Sequence, residues 1–195
     1  MILQNEKAII VGKGKTAKFL KKEDYKDTIL VGINQAAMFI DYPDFVFAND
    51  IEGLDGIPEN KFKDIKNLAV PEYPHYKLKP WSNIKFDKIL SKCKNNLIVY
   101  NICSCPIKND KFPYIDHEVI STGDTAIAFF AKFLNIKNFE LYGIASKEEY
   151  HEYMMQQLTD QNKKFSETWN NKRVKDLLSS INILINRYNL NLKIN

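Results

Sequence analysis

The chain has 195 residues, of which 45% are hydrophobic and 12% aromatic, and its formal net charge is +4. This composition is too apolar and too aromatic for a disordered protein and fits one globular domain over residues 1–195. The charge is too mild to indicate nucleic-acid binding, and no uncharged apolar run approaches the roughly 20 residues that a membrane span needs.

The amino-terminal segment and the cysteines favour a cytoplasmic protein. A charged residue precedes the first apolar run, and that run is too short for a signal peptide. Cys93, Cys103 and Cys105 form an odd set without metal-ligand spacing, so we expect reduced thiols and no metal site. The sequence leaves homo-oligomerisation open.

Short apolar runs recur along the chain, and helical segments separate several of them. Strands are predicted at 7–11, 28–33, 44–48, 68–70, 97–100, 139–142 and 190–194. Continuous apolar strands of this kind are typical of parallel sheets that are buried on both faces. The pattern therefore predicts an α/β, Rossmann-like fold with a largely parallel sheet and helices on both faces.

The helical segments differ in character. A short helix is predicted after the first strand, with Thr16 as its N-cap. The helix over 126–134 is apolar on nearly every side and should be buried. We expect a helical lid at about 147–188 and an irregular excursion at about 53–80, where prolines are frequent.

Small and polar residues stand where the predicted strands end. They are Gly12 and Gly14, Asn34 and Gln35, Asn49 and Asp50, Ser121 to Gly123, and Gly143. The carboxyl ends of parallel strands meet in one crevice, where ligands of doubly wound sheets bind. Amides suit a base and a sugar, and glycines let a phosphate approach backbone N–H groups at a helix N-terminus.

Each of these motifs also has a simpler interpretation. The glycines at 12 and 14 fit a tight turn, and they lack the spacing of a dinucleotide fingerprint or a P-loop. Asn34, Asn49 and Ser121 fit helix N-caps. Asp50 and Glu52 are a weak signal for a divalent ion.

The three histidines are weighed in the same way. His75 lies in the proline-rich excursion and fits surface structure, whereas His117 precedes Ser121 and could face the crevice. His151 is a candidate for acid/base chemistry beside Tyr150 and Tyr153. On one helix the two tyrosines share a face, and His151 points about 100° away from it.

Four segments together resemble the bacterial sialyltransferases of glycosyltransferase family 42, of the Campylobacter type, and the related Maf and pterin-diphosphokinase-like domains. The segments are AIIVGKGKTAKFL, ILVGINQAAMF, FVFANDIE and STGDTAIAFFAKFLNIKNFELYGIAS. They are similar to the family's opening strand with its Gly loop, its second strand ending in Asn-Gln, its third strand ending in Asn, and its Ser-Gly helix with the strand that follows. Together they cover roughly the first 50 residues and 120–146.

The resemblance implies a site for a CMP-type nucleotide sugar. It implies that Gly12 and Gly14 lie against the nucleotide phosphate and that Asn34 and Gln35 contact cytosine or ribose. Lys13, a further candidate for nucleotide binding in the same loop, stands where the family usually has asparagine, and its positive charge favours a more phosphorylated ligand. By the same analogy Asn49 acts near the sugar or phosphate. Residues Thr122, Gly123, Gly143 and Ile144 are implied to line the nucleotide pocket.

The resemblance further implies metal-independent catalysis in which Tyr150 and Tyr153 stabilise the departing phosphate. The family's catalytic histidine and its arginine before Ser-Gly have no match at the corresponding places, so His151 is the candidate base. The leading interpretation is a glycosyltransferase-like enzyme that uses a nucleotide sugar, needs no further cofactor and has a glycan as acceptor. The alternatives are a diphosphokinase-like phosphoryl transferase and a non-catalytic nucleotide-binding protein.

Overall fold

The computed structural model describes residues 7–25, 27–54, 56–72, 96–103, 110–144 and 171–195. Within these residues eight strands form one sheet. The strands are β1 (Lys7–Val11), β2 (Ile29–Ile33), β3 (Phe45–Phe47), β4 (Asn67–Pro71), β5 (Asn96–Ile102), β6 (Tyr114–Ile115), β7 (Asn138–Tyr142) and β8 (Asn191–Ile194). The α-helices of this part are α1 (Glu59–Asp64), α2 (Thr122–Phe133) and α3 (Asn171–Tyr188).

All neighbouring strands are parallel, in the order β6-β5-β4-β3-β2-β1-β7-β8. The chain therefore steps outward from β1 to β6, returns to the other side of β1 at β7, and ends at β8. This reversal makes the carboxyl ends of β1 and β7 the switch point of the sheet, where a crevice opens in doubly wound folds. The α/β, Rossmann-like prediction is confirmed.

Both faces of the sheet are covered, by different kinds of element. On one face the rings of Phe129 and Phe130 in α2 pack on Phe47 of β3, with ring centroids 5.4 and 5.7 Å apart. On the other face Phe62 of α1 packs with apolar residues of β3 and β4. One-turn 3₁₀ helices at Lys15–Phe19 and Asn34–Met38 cover the strands nearer β1. Within the part of the chain that the structure describes, the longer helices therefore lie on one side of the sheet.

The described part of the predicted lid is a helix packed into the core. The side chains of Val174, Leu177, Ile181 and Leu184 on α3 are buried. Asp116 fixes the helix further, because its carboxylate is paired with both Arg187 of α3 and Lys132 of α2. Among the described residues, no helix is both long and apolar enough to cross a membrane.

Some boundaries differ from those the sequence predicts. The range 53–80 contains α1 and β4 in its described part. Pro71 is the last residue of β4 rather than a residue beyond it, and it pairs with Tyr100. A proline is tolerated there because β3 has already ended opposite Ala69, so no backbone donor is required on that side. The two-residue strand β6 has no signal in the sequence.

The aromatic contact between α2 and the sheet leads to a stability prediction. Phe130 is fully buried, with its ring 5.0 Å from that of Phe45, whereas Phe133 in the next turn is 37% exposed. We expect Phe130→Ala to lower the free energy of unfolding by about 3–5 kcal/mol. The matched change Phe133→Ala should cost about 1 kcal/mol or less. Urea denaturation of both variants measures this, and equal losses would contradict the packing described.

Candidate functional site

The loop after β1 lies directly against the end of β7. Gly12 donates its backbone N–H to the carbonyl of Tyr142 at 2.7 Å, and Gly14 donates to the carbonyl of Gly143 at 3.0 Å. A Cβ atom added at Gly12 would lie 2.4 Å from the Gly143 oxygen, and one at Gly143 would lie 2.7 Å from the Gly14 oxygen. These glycines are therefore required because two backbone segments touch at the switch point.

Thr16 also belongs to this contact. Its hydroxyl oxygen accepts the backbone N–H of Gly143 at 2.7 Å. The short helix over Lys15–Phe19 begins after Gly14, which has no side chain to cap it. The prediction that Thr16 is an N-cap is wrong, since its side chain binds across to β7 instead of along its own turn.

The contact can be tested with two glycines that share a left-handed backbone. Gly143 has φ of 64° and Gly56 has φ of 80°, so alanine at either position costs about 1–2 kcal/mol in backbone strain. At Gly56 the added Cβ meets only the flexible end of Met38. We expect Gly143→Ala to destabilise by a further 1–3 kcal/mol or so, because it also meets backbone atoms. Urea titrations of the two variants compare the losses, and equal losses would refute the close backbone contact.

Lys13 extends from this loop across the ends of the neighbouring strands. Its ammonium donates to the side-chain oxygen of Gln35, which follows β2, at 3.2 Å. Burial lowers the pKa of Lys13, and the carboxylate of Asp50, which follows β3, opposes that shift. Lys13 thus joins the loop after β1 to the end of β2, and the end of β3 lies near enough for the Asp50 charge to act on the ammonium. The cluster of Lys13, Gln35 and Asp50 is called the strand-end cluster below.

Asn49 lies beside the strand-end cluster, and its amide is used within the protein. Its Nδ2 donates to the Thr125 hydroxyl at 2.9 Å, and its Oδ1 accepts the Tyr100 hydroxyl at 2.7 Å. The backbone N–H of Asn49 donates to the Thr122 hydroxyl at 3.3 Å. Asn49 therefore joins the end of β3 to both α2 and β5. This arrangement explains Asn49 as a structural link and supplies no reason to call it catalytic.

Asn34 occupies an unusual position at the end of β2. It has φ of 54°, a conformation that asparagine tolerates better than most residues. Its Oδ1 atom is buried without a hydrogen-bond partner among the described residues, and it lies over Gly53, where an added Cβ would be only 2.5 Å away. The side chain is thus held in place by sterics, with its oxygen buried against Gly53.

The N-terminus of α2 is already occupied by the protein's own groups. The Ser121 hydroxyl accepts the backbone N–H groups of Gly123 and Asp124 in a capping box. The Asp124 carboxylate accepts the backbone N–H groups of Ile120 and Ser121, each at 2.8 Å. The N-cap interpretation of Ser121 is confirmed. A buried carboxylate at this helix end also disfavours a phosphate there.

The predicted binding residues consequently separate into buried and accessible groups. Gly12, Gly14, Thr122, Gly123 and Ile144 are buried. They form one continuous set, since Ile144 lies within 3.4 Å of the Cβ position of Gly123 and 2.8 Å of that of Gly12. The accessible or half-buried residues are Lys13, Asn34, Gln35, Asn49, Asp50 and Gly143. Among the predicted binding residues that the structure describes, those a ligand could reach therefore lie at the ends of β1, β2, β3 and β7.

A second polar cluster lies inside the helical layer. His117 Nε2 is 2.6 Å from the Ser180 hydroxyl, and that hydroxyl donates to Asp124. All three side chains are at least 95% buried. Since Ser180 gives its hydrogen to Asp124, the Nε2 of His117 must be the donor in the first bond. Serine stands between the acid and the histidine and carries no free nucleophilic oxygen, so the cluster links α2 to α3.

This cluster makes stability depend on pH. Burial lowers the pKa of His117 below its ordinary value near 6.5; Asp124, Asp116 and Glu118 oppose the shift and Arg187 adds to it. As the pH falls through 6.5, the imidazole of His117 takes up a proton in the unfolded chain before it does so in the folded protein. The free energy of unfolding therefore decreases. His117→Gln keeps a donor for Ser180 and cannot titrate. Thermal melts between pH 5 and 8 should show a shallower acid loss in this variant; an unchanged slope would contradict the assignment.

Several predicted residues lie outside the described residues, namely Tyr150, His151 and Tyr153, together with His75, Cys93 and Cys105. The described residues contain no group of three or more His, Cys, Asp or Glu side chains arranged to hold a metal ion. Cys103 is a free thiol. The buried Ser180 link was not predicted; its only trace in the sequence is a serine on the apolar face of a helix.

Comparisons of the chain with protein-family models, with curated proteins and with solved structures found no match. The functional argument therefore depends on the strand-end cluster and on the position of that cluster in the fold.

Proposed function

We propose that the chain binds a nucleotide-activated sugar of the CMP type at the carboxyl ends of β1, β2 and β3 and transfers the sugar to a glycan acceptor. The observation that carries the proposal is the half-buried ammonium of Lys13, which lies beside the switch point among side chains from two further strand ends. A desolvated cation gains more from pairing with an anion than one that is fully hydrated.

The groups proposed to contact each part of the nucleotide are those that are not already hydrogen-bonded within the backbone contact or the helix cap. The backbone N–H groups of Gly12 and Gly14 and the N-terminus of α2 are engaged within the protein. Lys13 is therefore the group proposed to contact the nucleotide phosphate. Asn34 and Gln35, which follow β2 and are half-buried, are proposed to hydrogen-bond the base or ribose.

During transfer, negative charge develops on the departing nucleotide phosphate. A cation fixed next to that oxygen stabilises the transition state more than the ground state, and this difference accelerates the reaction. Lys13 is proposed to fill this role, with Tyr150 and Tyr153 as the further donors that the family resemblance implies. The proposed reaction needs no metal ion.

Replacement of Lys13 tests the binding step. We expect Lys13→Met to weaken nucleotide binding by about 10- to 100-fold, the value of one charge-assisted hydrogen bond. The folded state should remain as stable, since the cation is partly desolvated. Calorimetric titration with CMP, UDP, GDP and ATP measures the first effect, and thermal melts measure the second. Lys18 is exposed on the following turn, and Lys18→Met is the matched control.

The outcomes separate the candidate functions. If Lys13→Met binds the nucleotides as tightly as the wild type does, Lys13 does not contact the phosphate and the proposal loses its main support. Tight nucleotide binding without sugar transfer would favour a nucleotide-binding protein. Transfer that EDTA abolishes and Mg²⁺ restores would favour phosphoryl transfer and draw attention to Asp50 and Glu52.

A further inference from the structure

The proposed function assigns roles to Lys13 and Gln35 of the strand-end cluster but none to its third member, Asp50. It follows β3 and is exposed, and it lies close enough to Lys13 for its charge to act on the ammonium. An accessible carboxylate next to a proposed phosphate site raises a question, because two anions side by side repel each other.

The backbone on both sides of Asp50 is held in place. The preceding residue, Asn49, is fixed by hydrogen bonds to Thr122, Thr125 and Tyr100. The carbonyl of Asp50 itself accepts the backbone N–H of Gly53 at 3.0 Å. Asp50 is therefore presented from a rigid support, as a group that acts on a bound substrate needs to be.

Two other titratable side chains that the structure describes, those of Asp124 and His117, are not accessible. Asp124 is fully buried, and its carboxylate accepts hydrogen bonds from Ile120, Ser121 and Ser180. His117 is 5% exposed and bound to Ser180. Neither side chain can meet an acceptor hydroxyl without disrupting the packing between α2 and α3.

We propose that Asp50 is the general base of the transfer reaction, an assignment that rests on the proposed function. In the structure the Asp50 carboxylate lies near enough to Lys13 for its charge to act on the ammonium. When the donor binds, Lys13 contacts the donor phosphate, and Asp50 acts on the acceptor hydroxyl.

The proposed step balances in protons and electrons. The Asp50 carboxylate takes the proton of the acceptor hydroxyl, and the acceptor oxygen forms a bond to the anomeric carbon. The bond between that carbon and the phosphate oxygen breaks, and the oxygen leaves with the electron pair as the nucleotide monophosphate. Water takes the acceptor's place when the donor is hydrolysed.

If Asp50 is the base, its replacement should lower the rate of donor cleavage without weakening the binding of CMP. In Asp50→Asn the competing anion is gone, so CMP should bind as tightly as in the wild type or up to about tenfold more tightly. The rate at which CMP-sialic acid is cleaved should fall by at least about 100-fold, because the base is lost. Calorimetry with CMP measures the affinity, and release of CMP from the donor measures the rate.

Asp27→Asn is the matched control. Asp27 is exposed, precedes β2 at the opposite edge of the sheet, and has φ of 63°, which asparagine also adopts. This variant should bind CMP and cleave the donor as the wild type does.

Three results would overturn the assignment. Wild-type cleavage by Asp50→Asn would exclude the base and leave the proposed function standing. Loss of CMP affinity together with rate would make Asp50 a binding or structural group. A wild type that does not bind CMP would overturn the proposed function and this inference with it.

Discussion

The backbone contact between the loop after β1 and the end of β7 is the constraint on which the rest of the candidate site depends. Thr16, in the short helix after β1, and Gly143, directly after β7, are 127 positions apart in the chain and are joined there by a hydrogen bond. Glycines at 12, 14 and 143 let the two segments approach to distances that a Cβ atom would prevent. Because this contact fixes the loop, the side chain of Lys13 is directed across the neighbouring strand ends.

The same contact changes how the glycines should be understood. Glycines after the first strand of a doubly wound sheet usually allow a phosphate to approach backbone N–H groups. In this protein the N–H groups of Gly12 and Gly14 are bound to β7. Positive charge at the sheet edge therefore comes from a side chain, Lys13, instead of from the backbone.

The N-terminus of α2 also fails to supply positive charge for a phosphate, because an acidic side chain occupies it. Asp124 places a buried carboxylate at the N-terminus of this helix, and burial raises the pKa of that carboxyl against the effect of its hydrogen bonds. The carboxylate is hydrogen-bonded to Ser180, which is in turn bound to His117, so the helix end is joined to α3. The helix end thus stabilises the domain. Among the described residues that the sequence predicts to bind a ligand, the accessible side chains lie at the ends of β1, β2 and β3.

The sequence by itself determined the fold class and the edge of the sheet at which polar residues gather. Continuous apolar runs predicted a buried parallel sheet, and Asn34, Gln35, Asn49 and Asp50 were placed at strand ends by counting from those runs. Such local patterns suffice because each strand must bury both of its faces.

Only the tertiary structure decided which strand-end residues are accessible and which bind each other. The partners of Asn49 are 51 to 76 positions away, and the partner of Thr16 is Gly143, which follows β7, instead of a residue in its own turn. Ser180 joins His117 and Asp124 only when α3 lies against α2. Hydrogen bonds of this range leave no periodic signal in the chain, because they depend on how the elements pack and not on their local spacing.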